Sequence, residues 1–472
     1  MENINDYISR ITKLANRNQE LNQQIKELIG RYEGIQEQSN RYHNLLQLYA
    51  PEEIGRKKMG RRNMRRIPMV SLLYVSVRGF SKLHDHPKST DLVDMLDEIH
   101  MTLHLIAKKY NCISIKTIGD SFLFAAGIDT ENHTNPIDAV NAAMEMQKAV
   151  HSCSLSLNHG KPFWELSIGI HTGPVTAEPT GKKNNPFALL GESVNIAYRL
   201  GRTCSRGQIN LSVMTGEMVK EFFEFSPLGQ LPVKYKGQME MFLFKGILPE
   251  LADKTDPTLP NRAFKTKYGH IQFMDIQEIM LDRLEQLLPD NLYYHSVKHT
   301  IDVVTEAELI GWAEGANDEE ILLLKLAGLF HDSGHMIGYH DHEMHGTRIA
   351  RDMLEEHSFS PEHINTVCRL IMATKLPPDP KDKLEQVMCD SDLDYLGRTD
   401  FIPVSNTLYQ ELKERRMIDN YDNWNKMQLS FIRKHQYFTQ TAQKLREVNK
   451  QAQIERLKKL LQHEDADTLR RP

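Results

Sequence analysis

The chain has 472 residues, enough for two or three domains that each bury a core. Its 40% hydrophobic and 26% charged residues are ordinary for a soluble globular protein, and a formal net charge of −5 gives no overall attraction to nucleic acid or anionic membrane. The five cysteines are scattered without metal-type spacing, the first residues lack the apolar stretch of a signal peptide, and no apolar run is long enough to span a bilayer. We therefore expect a cytoplasmic protein with reduced cysteines, no transmembrane segment and no nucleic-acid partner.

Residues 1–50 contain a heptad repeat without proline. Its two core positions include Ile4, Ile11 and Ile25 at one and Leu14, Leu21 and Leu28 at the other. A 3.5-residue period held this long predicts a left-handed coiled coil, and isoleucine at one position with leucine at the other favours two parallel strands. We predict a parallel homodimer, with Asn18 fixing the register. The alternative is a long helix folded onto its own chain.

A strongly basic run, RKKMGRRNMRR, follows at Arg56–Arg66. Such a run can contact anionic lipid or nucleic acid, but it lacks aromatic residues and any motif of a binding fold. We interpret residues 51–66 as a solvated linker between the coiled coil and the next domain.

Residues 67–247 alternate between strand and helix patterns, which predicts an α+β domain. The predicted strands are Met69–Val77, a hairpin over Cys112–Phe124 with its turn at Gly119-Asp120, Glu165–Ile170, Gln208–Val213 and Met239–Phe244. The predicted helices are Leu92–Lys109 and Pro136–His151.

Five sequence motifs stand in order between Pro68 and Gly246: YVSVRGFSKL, IKTIGDSFLFAAG, IGIHTGPV, LLGESVNIAYRL and VKYKGQMEMFLFKG. This region resembles the class III nucleotidyl cyclase domain. The resemblance implies a ferredoxin-like core and a head-to-tail dimer with active sites across the interface. One face would supply two aspartates for two metal ions, and the other an Asn and an Arg that hold the nucleotide.

The resemblance assigns nucleotide-binding roles to residues of this chain. Asp120 matches the second metal aspartate, with Mg²⁺ as the expected ion, and Lys116 matches the base-recognising lysine of adenylyl cyclases. Asn195 and Arg199 match the pair that stabilises the transition state. Lys236, with Lys234 as the alternative, matches the phosphate-binding lysine.

Three positions depart from the cyclase pattern. Ser76 stands in place of the first metal aspartate, Ala188 in place of the adenine-selecting aspartate, and Glu178 in place of a glycine. A serine hydroxyl is a neutral, weak ligand and cannot replace a carboxylate that bridges two Mg²⁺ ions, whereas one carboxylate with substrate phosphates can still hold one ion. Loss of one such electrostatic contact typically costs on the order of 10²–10³ in rate. We therefore expect a degenerate cyclase-like domain that binds a nucleotide.

Residues 248–263 form a polar, proline-containing stretch that predicts a linker with little core potential. From 264 to 465 helical patterns dominate, so we predict an all-α domain. The predicted helices include Ile276–Leu288, Ile364–Ala373, Ser405–Arg416 and Trp424–Leu461.

The strongest pattern of this region is LAGLFHDSGHMIGYHDHEMHG at Leu326–Gly346. The apolar run Ile321–Phe330 predicts a buried helix that ends at His331-Asp332, and a buried imidazole and carboxylate need a partner such as a divalent metal. YYHSVKHTIDVV precedes this pattern, and VMCDSDLDYLGR follows it. Together these motifs resemble the HD-domain metal-dependent phosphohydrolases.

That resemblance implies a metal ligand set of His299, His331, Asp332 and Asp392. His295 lies where phosphodiesterases with a YHNxxHA motif keep their proton donor, so it is the candidate general acid. A second metal site would comprise His335, His342 and Asp390. Mixed nitrogen and oxygen ligands suit Mn²⁺, Fe²⁺, Co²⁺ or Mg²⁺.

Three classes of function are compatible with this organisation. The first is a phosphohydrolase that acts on a nucleotide or cyclic nucleotide and is regulated by the cyclase-like domain. The second is a bifunctional enzyme that makes and degrades a cyclic nucleotide. The third is a non-catalytic signalling scaffold. The complete ligand set argues against the third, and Ser76 argues against the second.

Overall fold

A computed structural model describes residues 64–79, 89–128, 132–155, 164–180, 187–233 and 237–468. The predicted coiled coil at 1–50, nearly all of the basic linker, and Lys234 and Lys236 lie outside the described residues, so those assignments remain predictions. The described residues after Arg65 form one compact unit.

The first part of that unit is built on one mixed sheet. Its strands are β1 (Arg65–Arg78), β2 (Cys112–Ile118), β3 (Ser121–Ala126), β4 (Glu165–Pro179), β5 (Phe187–Leu190), β6 (Gln208–Ser212), β7 (Phe223–Val233) and β8 (Gly237–Ile247). The sheet order is β2-β3-β1-β4-β6-β8-β7, with β5 paired to β4. Helices α1 (Ser89–Lys109), α2 (Asn135–Leu155), α3 (Glu192–Thr203) and α4 (Val213–Val219) connect the strands.

The first four strands and two helices have the ferredoxin-like arrangement that the resemblance implied. They follow each other as β-α-β-β-α-β, and the strand order β4-β1-β3-β2 places the two sequential halves side by side. Alternate residues of β1 pack into different apolar clusters. Leu73 and Val75 belong to the cluster on one face of the sheet, and Leu72 and Tyr74 belong to the cluster on the other face. Because both faces of β1 are covered, its sequence is almost continuously apolar.

The second part is helical, as predicted. Its helices are α5 (Arg262–Leu287), α6 (Val297–Ala313), α7 (Asp318–Phe330), α8 (His342–Glu356), α9 (Pro361–Ala373), α10 (Lys383–Asp392), α11 (Phe401–Glu414), α12 (Tyr421–Lys434) and α13 (Gln440–Thr468). The single helix predicted over Trp424–Leu461 is two helices, because the chain turns at residues 435–439.

Helix α7 is the centre of this bundle. A capping box at Asn317 starts it, since the Asn317 side chain accepts from the Glu320 amide while the Glu320 side chain accepts from the Asn317 amide. Its residues from Ile321 to Phe330 are buried except Lys325. Because the helix is apolar on all sides, it is enclosed by neighbours, and its end delivers His331 to the interior.

The stretch between the two parts differs from the expected polar linker. Leu251 and Ala252 are each 7% exposed and belong to the apolar core of the sheet domain. The Lys148 ammonium of α2 donates to Asp256 (3.0 Å) and to Thr258 (2.9 Å), so the chain is fastened along the sheet domain. Among the helices that the structure describes, none combines the length and apolarity needed to cross a membrane.

Candidate metal centre and nucleotide site

Four predicted ligand residues converge between the ends of three helices. His299 lies in the first turn of α6, His331 and Asp332 follow the end of α7, and Asp392 is the last residue of α10. The His299 Nε2 atom lies 3.2 Å from Asp392 Oδ1 and 3.4 Å from Asp332 Oδ2. The His331 Nε2 atom lies 3.2 Å from Asp332 Oδ2 and 3.4 Å from Asp392 Oδ1. These four atoms surround one point.

The separations match those of ligands around a first-row cation. Two atoms that each lie about 2.1 Å from an ion are roughly 3.0–3.4 Å apart at octahedral to tetrahedral angles. The two imidazole nitrogens are themselves 3.3 Å apart. His331 Nδ1 is hydrogen-bonded to the Gly328 carbonyl oxygen (2.8 Å), which leaves Nε2 as the ligand atom. The residues therefore fit a divalent metal ion.

Electrostatics support the same interpretation. Burial alone would lower the pKa of His331, but Asp332 and Asp392 raise that pKa well above its ordinary value. The charges of Asp332 and Asp392 favour a proton on His331 when no cation is bound. A divalent ion can take the place of that proton, which is how ligand deprotonation accompanies metal binding.

The second oxygen of Asp332 faces a second group of imidazoles. His342 Nε2 lies 3.4 Å from Asp332 Oδ1, and the ring of His335 stacks on that of His342 with centroids 4.0 Å apart. Both ring nitrogens of the buried His335 lack a hydrogen-bond partner, and burial lowers its pKa to about 2, so the ring is neutral. One ring nitrogen of His295 lies within 4.8 Å of ligand atoms of Asp332 and His335, a spacing that suits one shared ion. The two oxygens of Asp332 thus face separate groups of imidazoles, an arrangement that would suit two ions.

Gly334 allows the first residue of α8, His342, to lie next to Asp332. A Cβ atom on Gly334 would lie 1.9 Å from the His342 carbonyl oxygen. Only glycine allows the start of α8 to approach the turn after Asp332 this closely.

Asp390 does not join the second group, and we correct that prediction. Its carboxylate accepts hydrogen bonds from the amides of Phe438 and Thr439 and from the Thr439 hydroxyl. Asp390 and Asp392 are two residues apart on α10, so they project to different sides of the helix. Asp390 therefore holds the turn before α13.

Sequence reasoning missed Glu411 of α11, which is fully buried. Its Oε1 accepts from His295 Nδ1 (2.6 Å), and its Oε2 accepts from the Tyr294 amide (3.1 Å). Burial would raise the pKa of Glu411, but the hydrogen bond and charge of His295 hold that pKa below its ordinary value. The sequence offered one signal for Glu411, namely a charged residue on the buried face of α11. Glu411 fixes which nitrogen of His295 faces the metal ligands.

A cavity of about 450 Å³ opens beside these groups. Its polar lining includes His295, Asp332 and His335, and another part of its wall is apolar. The apolar wall comprises Leu408, Leu412, Trp424, Phe431 and Ile432. Gln428 lies on this wall, and the Ser405 hydroxyl donates to its Oε1 (2.6 Å), so its NH₂ group is left as a donor. This combination accommodates a ligand with a charged end and a flat apolar end.

The predicted nucleotide-binding residues lie on two parts of the sheet domain. Ser76 of β1 is paired with Ser121 of β3, and the Val77 amide donates to the Asp120 carbonyl oxygen (2.8 Å). Ser76 therefore lies beside Asp120, as a first metal ligand would. Lys116 is exposed on the neighbouring strand β2, where the pairing with β3 shifts register.

Asn195 and Arg199 lie one turn apart on the exposed face of α3. Arg199 donates to the Pro232 carbonyl oxygen of β7 (2.6 Å). Ala188 of β5 is paired with Glu178 of β4, so two departures from the cyclase pattern are adjacent.

Two family models match the chain. Residues 63–246 match the "Adenylate and Guanylate cyclase catalytic domain" family, and residues 296–396 match the "HD domain" family. Among curated proteins, guanylyl cyclase C of Cavia porcellus is 25% identical over 266 residues, covering 55% of this chain and 24% of that protein. Guanylyl cyclase C of Homo sapiens is 26% identical over 198 residues, covering 41% of this chain and 18% of that protein. The chain thus spans a quarter or less of their length.

Solved structures of cyclase domains are also similar. The guanylate cyclase domain of RhGC from Catenaria anguillulae in complex with GTP is 26% identical, covering 39% of this chain and 100% of that one, with a TM-score of 0.34. The adenylyl cyclase CyaB from P. aeruginosa is 21% identical, covering 40% and 100%, with a TM-score of 0.37. The two family matches lie on separate segments of the chain, the cyclase match on the sheet domain and the HD match on the helical part.

Proposed function

We propose that this chain is a metal-dependent phosphodiesterase of nucleotide signalling whose cyclase-like domain is a degenerate, nucleotide-binding regulator. One observation supports the proposal most: Asp332 lies between two groups of imidazoles, beside a cavity that also contains the Glu411-paired His295. Such an arrangement suits hydrolysis of a phosphoester better than redox or purely structural chemistry.

The metal would be held by His299, His331, Asp332 and Asp392. A second ion would share Asp332 and use His335 and His342. Mn²⁺, Fe²⁺, Co²⁺ or Mg²⁺ in these positions would polarise the phosphate and make a water molecule nucleophilic at neutral pH.

His295 is the proposed general acid. Glu411 accepts the Nδ1 proton, so Nε2 is the atom available to protonate the leaving oxygen as the P–O bond breaks. The buried Glu411 carboxylate also stabilises the imidazolium before that transfer. A positioned acid of this kind contributes typically 10²–10⁴-fold in rate.

The cavity indicates the class of substrate. Its polar end would hold the phosphoester against the metal ligands, and its apolar wall of Leu412, Phe431 and Ile432 would contact a nucleobase. Gln428 would donate a hydrogen bond to an acceptor on the base edge. A cyclic nucleoside monophosphate has these features, and its hydrolysis gives a linear monophosphate.

The regulatory role of the sheet domain rests on Ser76. With Asp120 as the remaining carboxylate of the pair, one Mg²⁺ can be held through nucleotide phosphates, whereas the ion that activates the attacking hydroxyl lacks its bridge. Nucleotide binding without cyclisation is the expected result.

A second candidate function is a bifunctional enzyme that also makes a cyclic nucleotide. Asp120, Asn195 and Arg199 match the cyclase pattern, and the relatives named above are guanylyl cyclases. In this alternative a different group, such as Glu192 or a water molecule held by Ser76, would serve the second ion.

The test is to incubate the purified chain with Mn²⁺ and panels of cyclic and linear nucleotides and to identify the products by chromatography. Conversion of a cyclic nucleotide to its linear monophosphate supports the phosphodiesterase. Cyclic product formed from a nucleoside triphosphate, and lost on Arg199→Ala, supports the bifunctional enzyme instead. Absence of any phosphoester hydrolysis would contradict both proposals for the helical domain.

A further inference from the structure

Helix α5 belongs to the cores of both domains. Its residues Phe264, Tyr268 and Ile271 pack into the apolar core of the sheet domain. The Phe264 ring makes edge contacts with Phe222 and Phe223, with centroids 5.0 and 5.7 Å away. These positions follow a three-to-four-residue spacing, so they lie on one face of the helix.

The opposite stripe of α5 packs into the helical domain. Phe273, Ile276, Met280 and Leu284 are each at most 3% exposed, and the first three belong to the core that contains α7. Gly269 lies against α7, since a Cβ atom there would be 2.6 Å from Leu322 Cδ2. One continuous helix of 26 residues, about 39 Å long, is thus shared by the two domains.

Buried polar contacts fix the sheet-domain face of α5. Tyr268 donates to Asp138 Oδ1 of α2 (2.6 Å), and the His133 amide and Nδ1 contact Asp275 Oδ1 (2.9 and 2.5 Å). Asp138 is 2% exposed and Asp275 is 6% exposed. Leaving such groups buried and unpaired is costly, so the two domains cannot slide along this helix without a large loss of stability.

Contacts connect α5 to both candidate sites, the nucleotide site of the sheet domain and the metal centre of the helical domain. Asn135, two residues after His133, accepts a hydrogen bond from Ser71 (2.6 Å) of β1, the strand that also contains Ser76. In the other direction, α7 packs on α5 and ends at the His331-Asp332 ligands. Domain motion is the usual expectation for two domains in one chain, but a shared helix and hydrogen bonds to buried carboxylates oppose it here.

We propose that α5 couples the two domains into one thermodynamic unit, so that occupation of the metal centre stabilises the cyclase-like domain and nucleotide binding alters metal affinity in return. The regulatory consequence rests on the proposed function, whereas the structural coupling does not. Because linkage is reciprocal, each ligand changes the affinity of the other by the same factor, typically about 5–150-fold in coupled systems.

The experiment compares the full-length chain with the Tyr268→Phe/Asp275→Asn double variant by calorimetry, with and without Mn²⁺. The unmodified chain should unfold in one transition that Mn²⁺ shifts as a whole. The double variant should unfold in two transitions, of which Mn²⁺ shifts one. Asp282→Asn, an exposed change on the same helix, is the matched control and should behave like the unmodified chain.

Hydrogen exchange of the unmodified chain keeps the proposal testable even if the double variant does not fold. Mn²⁺ should slow amide exchange at residues 132–140 of the sheet domain more than at β5, because Phe187 and Leu189 of β5 pack in an apolar cluster that contains no residue of α5. Independent unfolding of the two domains in the unmodified chain, or Mn²⁺ protection confined to residues 262–468, would overturn the coupling. If Mn²⁺ does not bind, the proposed metal site is wrong. The coupling through α5 would still be supported if the unmodified chain unfolds in one transition and the double variant in two.

Discussion

His331 donates from Nδ1 to the carbonyl oxygen of Gly328, 2.8 Å away and three residues earlier on α7. This hydrogen bond sets the tautomer and orientation of the ring, so Nε2 faces Asp332 and Asp392. The buried helix thus presents the candidate metal ligand His331 in a form that can bind an ion, and the candidate metal centre depends on the core of the helical domain rather than on a loop.

Glu411→Gln should impair proton transfer without removing the metal. The amide keeps the shape of the side chain but loses the charge that stabilises the His295 imidazolium, so kcat should fall by about 10²-fold, the low end for a positioned acid. Mn²⁺ affinity, measured by titration, should stay within a factor of a few. A large loss of Mn²⁺ affinity with unchanged kcat would instead make His295 a ligand of the second ion.

Several features of this site were predictable from local sequence, and Glu411 was not. His299, His331, Asp332 and Asp392 stand in spaced motifs whose helices were recognisable from apolar periodicity. Glu411 lies 116 residues from His295, and no local pattern joins them. Asp390 was misassigned because an alternating Asp-x-Asp sequence does not indicate which carboxylate faces the site once the segment is helical.

The fold, too, was predictable where local sequence patterns determine it and not where distant segments meet. The β2–β3 hairpin turn at Gly119-Asp120 and the all-α second domain follow from local patterns. Helix α5 has two apolar faces that belong to different cores, and sequence periodicity alone could not assign its first turn to the sheet domain. Leu251 and Ala252 were likewise hidden in a polar stretch, because two apolar residues are too few to produce a periodic pattern.

Ser76→Asp should tighten Mg²⁺-dependent binding of a nucleoside triphosphate, since it restores a carboxylate beside Asp120. Restored cyclisation should be small, because Ala188 and Glu178 also depart from the cyclase pattern. Ser152→Asp, which adds the same charge at an exposed position of α2, should leave binding unchanged. Equal binding by the unmodified chain and Ser76→Asp would mean that no ion is held at this position.

The pH dependence of stability should reflect Asp138. Burial raises the pKa of Asp138 from 3.8 to about 7. The folded chain therefore binds this proton more tightly than the unfolded chain, and the resulting stability, present in full below pH 4, is lost as pH rises towards 7. At 1.36 kcal/mol per pKa unit, the loss amounts to about 4 kcal/mol.

Denaturant unfolding of the unmodified chain and Asp138→Asn between pH 5 and 8 checks this prediction. The variant should lose less stability across that range, since its amide does not ionise. Parallel curves for the two proteins would show that Asp138 is ionised in the folded state throughout.

Deletion of Met1–Ala50 should weaken or abolish dimerisation, because these residues contain the longest apolar seam outside the globular domains. Light scattering over a range of protein concentrations measures the effect. An unchanged dimer would assign the interface to the cyclase-like domain alone.

The most direct test of the proposed metal-dependent phosphodiesterase activity is a Mn²⁺ titration and a cyclic-nucleotide hydrolysis assay on Asp332→Ala. His363→Ala is the control, since this histidine contacts Glu319 rather than the metal ligands. We predict that Asp332→Ala remains folded by circular dichroism but loses both Mn²⁺ binding and hydrolysis, whereas His363→Ala retains both. Hydrolysis by Asp332→Ala at the rate of the unmodified chain would contradict the assignment.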